Sequence, residues 1–126
     1  MPVKWMVHPD ERLMVAVTEG DVTRADMEAY LDAQVSSGAV TYRKIFDGSR
    51  GDTSMGPDDW LALGVRIRSM QTDDMGPLAV VVTSGKEKLL GRLFGMLAVP
   101  DRPMRIFDDS TRARRWIEKH RVAPGG

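Results

Sequence analysis

The sequence contains no cysteine, so disulfide bonds, thiolate metal ligands and cysteine nucleophiles are all excluded. Histidine is scarce as well: His8 and His120 stand near opposite ends of the chain, and neither has a second candidate ligand at helical spacing. We therefore expect no metal site and no cofactor. Because a chain without cysteine suits a reducing compartment, we expect a cytoplasmic protein.

Long hydrophobic runs and an excess of one charge are also missing. No apolar run approaches the length of a membrane span, and MPVKWMV at the amino terminus lacks the pattern of a secretory signal. Eighteen basic and 18 acidic residues cancel, which leaves no overall field that attracts nucleic acid. Residues 1–63 are nevertheless net acidic and residues 64–126 net basic, so one side suits an anionic partner.

A chain of 126 residues fits one domain with a sizeable core. It has no internal repeat, no low-complexity segment and no linker long enough to divide it. We predict a single domain over residues 1–121, followed by a flexible tail at residues 122–126.

The first third of the sequence predicts a β-hairpin followed by a helix. Apolar runs at residues 3–7 and 13–18 flank the polar stretch HPDER, which suits a tight turn. Thr23 stands three residues before Asp26, a capping arrangement, and Gly38 ends the helical pattern that follows. The expected apolar face of this helix consists of Met27, Tyr30, Leu31 and Val35.

The middle of the chain predicts a strand, a loop and a second helix. The strand covers residues 42–46 and ends at Asp47. Gly56 and Pro57 with two aspartates indicate a helix start, because proline suits the first helical position and carboxylates favour the positive end of the helix dipole. The expected inward face of this helix consists of Trp60, Leu63, Gly64, Ile67 and Met70.

The last third of the sequence predicts two further strand–helix units. LAVVVT at residues 78–83 is typical of a strand covered on both faces and is the best candidate for a central strand. Ser84 and Glu87 have capping-box spacing before a third helix. Residues 104–107 form the last strand, and Ser110 or Asp109 caps a closing helix. Its inward residues are Ala113, Trp116 and Ile117, whereas those of the third helix are Leu89, Leu90, Leu93, Phe94 and Leu97.

The predicted order is therefore ββαβαβαβα. Alternation of strands and helices implies an α/β fold with a mostly parallel sheet and right-handed crossovers. The opening hairpin adds one antiparallel strand.

This order resembles the STAS or SpoIIAA-like domain of anti-sigma-factor antagonists, and more closely the small bacterial STAS-like proteins of unassigned role. The likeness covers nearly the whole chain and rests on element order and apolar anchors. In such proteins a strand ending in Val-Phe precedes an acidic pair and a helix with inward alanine and tryptophan. The segments that carry the likeness are RLMVAVTEGDVTRADMEAYL, KIFDGSRG, AVVVTS, GRLFGML and MRIFDDSTRARRWI, and the matching residues in the last are Phe107, Asp108, Asp109, Ala113 and Trp116.

The resemblance directs attention to the loop after the third strand. In sigma-regulator members this loop reads Asp-Ser-Ser-Gly, and its serine is phosphorylated to break a regulatory complex. Here the loop contains no such motif: Gly56 lies about where the phosphoserine would be, and Ser54 is the nearest hydroxyl. A contact surface is thus favoured over a phosphorylation switch. The candidate residues for either role are Asp47, Ser49, Thr53, Ser54 and Gly56.

A second candidate site follows the strand at residues 78–83. A glycine and a lysine open the next helix, as in part of a phosphate-binding turn, although the full Walker spacing is missing. The capping box explains Ser84 without any ligand. Gly91 and Gly95 allow a close helix contact or an open groove for a ligand. The candidate residues for an anion or a lipid are Ser84, Gly85, Lys86, Lys88, Gly91 and Gly95.

No spacing of histidine, carboxylate or hydroxyl groups indicates catalysis, so we predict that the protein is not an enzyme. The basic residues at positions 112–121 lie on more than one side of a helix, which indicates a solvated face rather than a nucleic-acid site. The favoured function is a cytoplasmic regulatory module that binds a protein partner, with a homodimer as an open alternative. The other interpretation is a carrier of a small anionic or lipid ligand.

Overall fold

Strands and helices alternate along the chain after an opening hairpin. The computed structural model describes residues 2–70, 75–82 and 103–120. Helices and strands are numbered in chain order within these residues. The helices are α1 (Arg24–Ser36), α2 (Pro57–Ser69) and α3 (Ser110–Lys119). The strands are β1 (Val3–His8), β2 (Leu13–Thr18), β3 (Gly20–Asp21), β4 (Arg43–Asp47), β5 (Gly51–Asp52), β6 (Leu78–Val81) and β7 (Met104–Phe107).

Five strands form the main sheet, in the order β1-β2-β4-β6-β7. β1 and β2 are antiparallel, and every other neighbouring pair is parallel. The predicted α/β class, opening hairpin and mostly parallel sheet are therefore confirmed. β6 is buried along its whole length, as predicted for a strand covered on both faces, but the middle position belongs to β4.

Helices cover both faces of the sheet. On one face, α1 and α2 pack through Tyr30, Leu31 and Leu63 against Val3, Met14 and Ala16 of the hairpin. On the other face, Ala113 and Ile117 of α3 are completely buried against a second apolar cluster. The sheet residues of that second cluster are Leu13, Ile45, Ala79 and Val81.

The helix starts follow the predicted local chemistry. Thr23 caps α1: its hydroxyl accepts from the backbone N–H of Asp26 at 3.2 Å, and the Asp26 carboxylate accepts from the backbone N–H of Thr23 at 2.8 Å. α3 is capped by Asp109, whose carboxylate accepts from the backbone N–H of Thr111 at 2.7 Å. Of the two predicted caps for this helix, the structure thus has Asp109.

One residue was wrongly assigned to the apolar face of α1 from the sequence. Val35 is 53% exposed, whereas Gln34 is buried at 5% exposure. Gln34 lies nearer the centre of the face defined by Met27, Tyr30 and Leu31, because successive helical residues are rotated by about 100°. The expectation that Val35 faces inward was therefore wrong.

Two adjacent cations of β4, Arg43 and Lys44, are each only 1% exposed. The Arg43 guanidinium donates to the carbonyl of Ile117 at 2.9 Å and to that of Glu11 at 2.6 Å. The Lys44 ammonium donates to the carbonyls of Val40 and Tyr42. Backbone acceptors thus satisfy much of the hydrogen-bonding capacity of both buried cations.

No helix within residues 2–70, 75–82 and 103–120 is long and apolar enough to cross a membrane.

Candidate functional site

The loop between β4 and α2 starts at the edge of the sheet where the parallel strands have their carboxyl ends. Loops at this edge commonly carry binding groups in α/β proteins. The backbone N–H of Gly48 donates to the carbonyl of Val81 at 2.7 Å, which attaches the start of the loop to β6. The Thr18 hydroxyl donates to the carbonyl of Asp47 at 3.3 Å and attaches it to β2.

The Asp47 carboxylate closes the first turn of the loop. Its Oδ1 atom accepts from the backbone N–H of Ser49 at 3.0 Å and from the Ser49 hydroxyl at 2.6 Å. This is an Asx turn, in which the side chain stabilises the chain reversal. Two of the candidate residues named from the sequence are thus brought together, and their contact shapes the loop.

A short parallel ladder then attaches the loop to the segment before α1. β3 pairs with β5. The backbone N–H of Gly20 donates to the backbone carbonyl of Arg50 at 3.2 Å, and that of Val22 donates to the backbone carbonyl of Asp52 at 2.8 Å. At Gly51 a Cβ atom would lie 2.1 Å from Thr18 Oγ1, so only glycine fits without movement. Two-residue strands have no periodic pattern, and nothing in the sequence reasoning predicted this ladder.

The structure distinguishes Thr53 from Ser54. The Thr53 hydroxyl donates to the carbonyl of Val22 at 2.7 Å and accepts from the backbone N–H of Met55 at 3.1 Å. Ser54 is exposed, and among the described residues its side chain has no hydrogen-bond partner. Thr53 therefore holds the loop in place, whereas the Ser54 hydroxyl is accessible to a partner.

Gly56 and Asp59 define the start of α2. Gly56 is the N-cap residue, and its backbone N–H donates to the Asp59 carboxylate at 3.3 Å. Asp58 and Asp59 occupy the first turn, where their negative charge interacts favourably with the positive end of the helix dipole. Arg24 of α1 lies 3.6 Å from the Asp59 carboxylate and links the starts of the two helices.

Two large apolar side chains are exposed on α2 directly after this loop. Leu61 is 47% exposed and Val65 is 62% exposed, and a spacing of four residues places them on the same side of the helix. The buried residues Leu63 and Gly64 of the same helix face the core. We call the exposed loop residue Ser54 together with Leu61 and Val65 the loop–α2 surface.

A shallow cleft of about 490 Å³ lies at the same edge of the sheet, between the ends of β4 and β6 and the start of α3. Its Arg112 pairs with Asp108 and lies 3.9 Å from Asp109, so one guanidinium faces two carboxylates and the lining is net negative. The described residues include no group of three metal-ligating side chains. The lining residues are Ser49, Val81, Asp108, Asp109, Ser110 and Arg112.

The second candidate site of the sequence lies outside the described residues. Its members are Ser84, Gly85, Lys86, Lys88, Gly91 and Gly95. The third predicted helix, at residues 84–97, and the predicted tail at residues 122–126 also lie outside them.

Comparisons with known proteins identify the fold. No protein-family model matches the sequence, and no curated protein matches it. An uncharacterised protein of the DUF3478 family with a SpoIIAA-like fold, from Shewanella loihica PV-4, has a TM-score of 0.61 and 16% identity, with 91% of both chains covered. An anti-sigma factor antagonist from Mycobacterium paratuberculosis has a TM-score of 0.58 and 14% identity, covering 92% of this chain and 94% of its own. The chain has a SpoIIAA-like α/β fold, which confirms the predicted resemblance at the level of fold.

Proposed function

We propose that this protein is a cytoplasmic, non-enzymatic regulatory module that binds another protein through the loop–α2 surface. The observation that carries the proposal is the pair Leu61 and Val65, two exposed apolar side chains on one side of α2, which follows the loop containing the exposed Ser54. Adjacent exposed apolar side chains on a helix are a common feature of surfaces that bind proteins. The fold shared with an anti-sigma factor antagonist supports the same class of function by analogy.

The chemistry of the loop favours contact over catalysis. Asp47, the carboxylate at the end of β4, is engaged by the backbone and hydroxyl of Ser49. A general base has to reach a substrate proton within hydrogen-bond distance, and the Asx turn holds Oδ1 of this carboxylate against its own loop. Thr53 is similarly engaged with Val22.

Site-specific photo-crosslinking tests the proposal. A photoreactive residue replacing Leu61 or Val65 should form a discrete protein adduct in extract of the host. The matched control is Val35, which is apolar and 53% exposed on α1. An equal adduct at position 35, or none at positions 61 and 65, would contradict the proposed surface.

Ser54 provides a second test of the same surface. Asp52 and Asp58 are exposed on either side of Ser54 in the sequence. A negative charge at position 54 would therefore be repelled by these two carboxylates. Ser54→Asp is expected to reduce the yield of the adduct at position 61, whereas Ser54→Ala should leave it nearly unchanged. If Ser54→Asp has no effect, the partner does not contact this residue.

A further inference from the structure

β1 is the outer strand of the main sheet, and within the described part of the chain no strand pairs with its other side. The backbone N–H of Glu19 donates to the carbonyl of Pro2 at 2.7 Å, which marks these two residues as a hydrogen-bonded pair. Hydrogen-bonded and non-hydrogen-bonded pairs alternate in an antiparallel ladder. Lys4, Met6 and His8 therefore bond to β2, whereas the backbone groups of Val3, Trp5 and Val7 point away from the sheet.

Only part of this outer edge is accessible. Val3 is 2% exposed, so its backbone is covered. Trp5 and Val7 are partly exposed. Pro9 has no backbone N–H and begins a 3-10 turn, so the edge ends before it. Of the outward-pointing residues of the described edge, only Trp5 and Val7 thus retain exposed surface and can pair with a further strand.

Met6 lies between these two residues and is 62% exposed. Its cross-strand neighbour is Val15, and both belong to the face of the sheet on which α3 packs. α3 lies over β4, β6 and β7 and also covers Leu13 at the start of β2, but Met6 remains exposed. Val17, on the same face of β2 as Val15, is 39% exposed. An apolar strip thus accompanies the accessible edge.

We propose that β1 pairs with β1 of a second copy of this chain, antiparallel, about a two-fold axis at Met6. Trp5 of each copy then faces Val7 of the other, and each pair exchanges two backbone hydrogen bonds. Met6 faces Met6 of the second copy as a non-hydrogen-bonded pair, the type in which side chains are closest. The contact is isologous, so it closes after two copies.

Alternative two-fold registers are disfavoured by the residues themselves. An axis at Trp5 requires hydrogen bonds from Val3, which is covered. An axis at Val7 requires an N–H from Pro9, which proline lacks. In the Met6 register, Lys4 faces His8 of the second copy, so no two lysines oppose each other. β1 can thus pair with β1 of a second copy in one two-fold register. For this reason the proposed partner is a second copy rather than an unrelated strand.

Opposite charges at position 6 test the axis directly. In a dimer of Met6→Lys or of Met6→Glu, the charged residue at position 6 faces the same charge in the second copy. Each variant should therefore weaken dimerisation at least about tenfold in analytical ultracentrifugation. An equimolar mixture of the two variants should form a 1:1 heterodimer. Val35→Lys and Val35→Glu are matched controls and should leave the dimer unchanged. Circular dichroism should show that all four variants are folded, because both side chains are exposed.

A single cysteine gives an independent measurement, because the natural chain has none. In the proposed register the two Cα atoms at position 6 lie about 4.5 Å apart, within the range of a disulfide. Met6→Cys should therefore form a disulfide-linked dimer faster than Val17→Cys. A monomeric wild type at all concentrations would overturn the proposal. So would a dimer that is insensitive to charge at position 6, or equal crosslinking of the two cysteine variants.

Discussion

Gly51 determines how closely the loop after β4 approaches β2. A Cβ atom at this position would lie 2.7 Å from the Thr18 side-chain Cβ and still closer to its hydroxyl oxygen. Thr18 is only 2% exposed and cannot move away freely. The close contact of these two residues therefore fixes the loop that presents Ser54.

Substitution of Gly51 should destabilise the protein more than substitution of Gly56. Gly51→Ser is expected to lower the free energy of unfolding by about 1–3 kcal/mol, because the added atoms overlap Thr18. Gly56→Ser is the matched control: an added Cβ meets nothing within 4 Å, and serine is a favourable N-cap. Urea denaturation measures both. Equal stability losses would show that the approach of Gly51 to Thr18 is not constraining.

Arg43 connects two distant parts of the chain through backbone carbonyls. Arg43→Met should lower the free energy of unfolding by roughly 2–4 kcal/mol, because the buried carbonyl of Ile117 and the partly buried one of Glu11 lose their donor. Arg43→Lys should lower the free energy of unfolding by less, because the lysine ammonium retains part of the hydrogen bonding to these carbonyls. Arg68→Met, at an exposed site on α2, should change stability by about 0.5 kcal/mol or less. A similar loss at both sites would contradict the structural role of Arg43.

At the scale of the elements, α1 shows what a sequence predicts well. Thr23 and Asp26 lie three residues apart, and their reciprocal capping bonds are formed within one helical turn. The information is local and needs no knowledge of the rest of the fold. The β-branched run at residues 78–83 similarly predicted β6, because strands buried on both faces require continuous apolar residues.

The capping box of α1 leads to a quantitative prediction. Thr23→Ala should lower the free energy of unfolding by about 1 kcal/mol, because the backbone N–H of Asp26 loses its acceptor. Thr23→Ser keeps the hydroxyl and should change stability by less than half as much. Thermal or urea denaturation of the two variants compares them. If serine and alanine are equally destabilising, the hydroxyl does not contribute through capping.

Features that depend on distant contacts were not predictable from the sequence. The β3–β5 ladder joins residues about 30 positions apart with only two residues on each side, so no periodicity indicates it. The burial of Arg43 depends on the position of α3, which no local pattern reveals. The engaged Thr53 and the accessible Ser54 are neighbours of similar chemistry, and only the position of Val22 distinguishes them.

At the scale of the whole molecule, the sheet separates two surfaces that different proposals use. The loop–α2 surface follows the carboxyl end of β4, whereas the proposed dimer contact is the outer edge of β1. The two involve different residues, so either proposal can fail without the other. α1 and α2 are parallel and are linked at two levels, by Arg24 with Asp59 and by Arg66 with Asp32.

Native mass spectrometry of the protein purified gently from its own host tests the central claim, binding of a partner protein at the loop–α2 surface. Wild type and the exposed control Val35→Asp should both carry the mass of a bound protein other than a second copy of this chain, and this mass should be absent after denaturation. Leu61→Asp should lose that mass, because an unpaired charge then lies in an apolar contact. A different bound protein that persists in Leu61→Asp, or a wild type that carries none besides a second copy, would contradict the account.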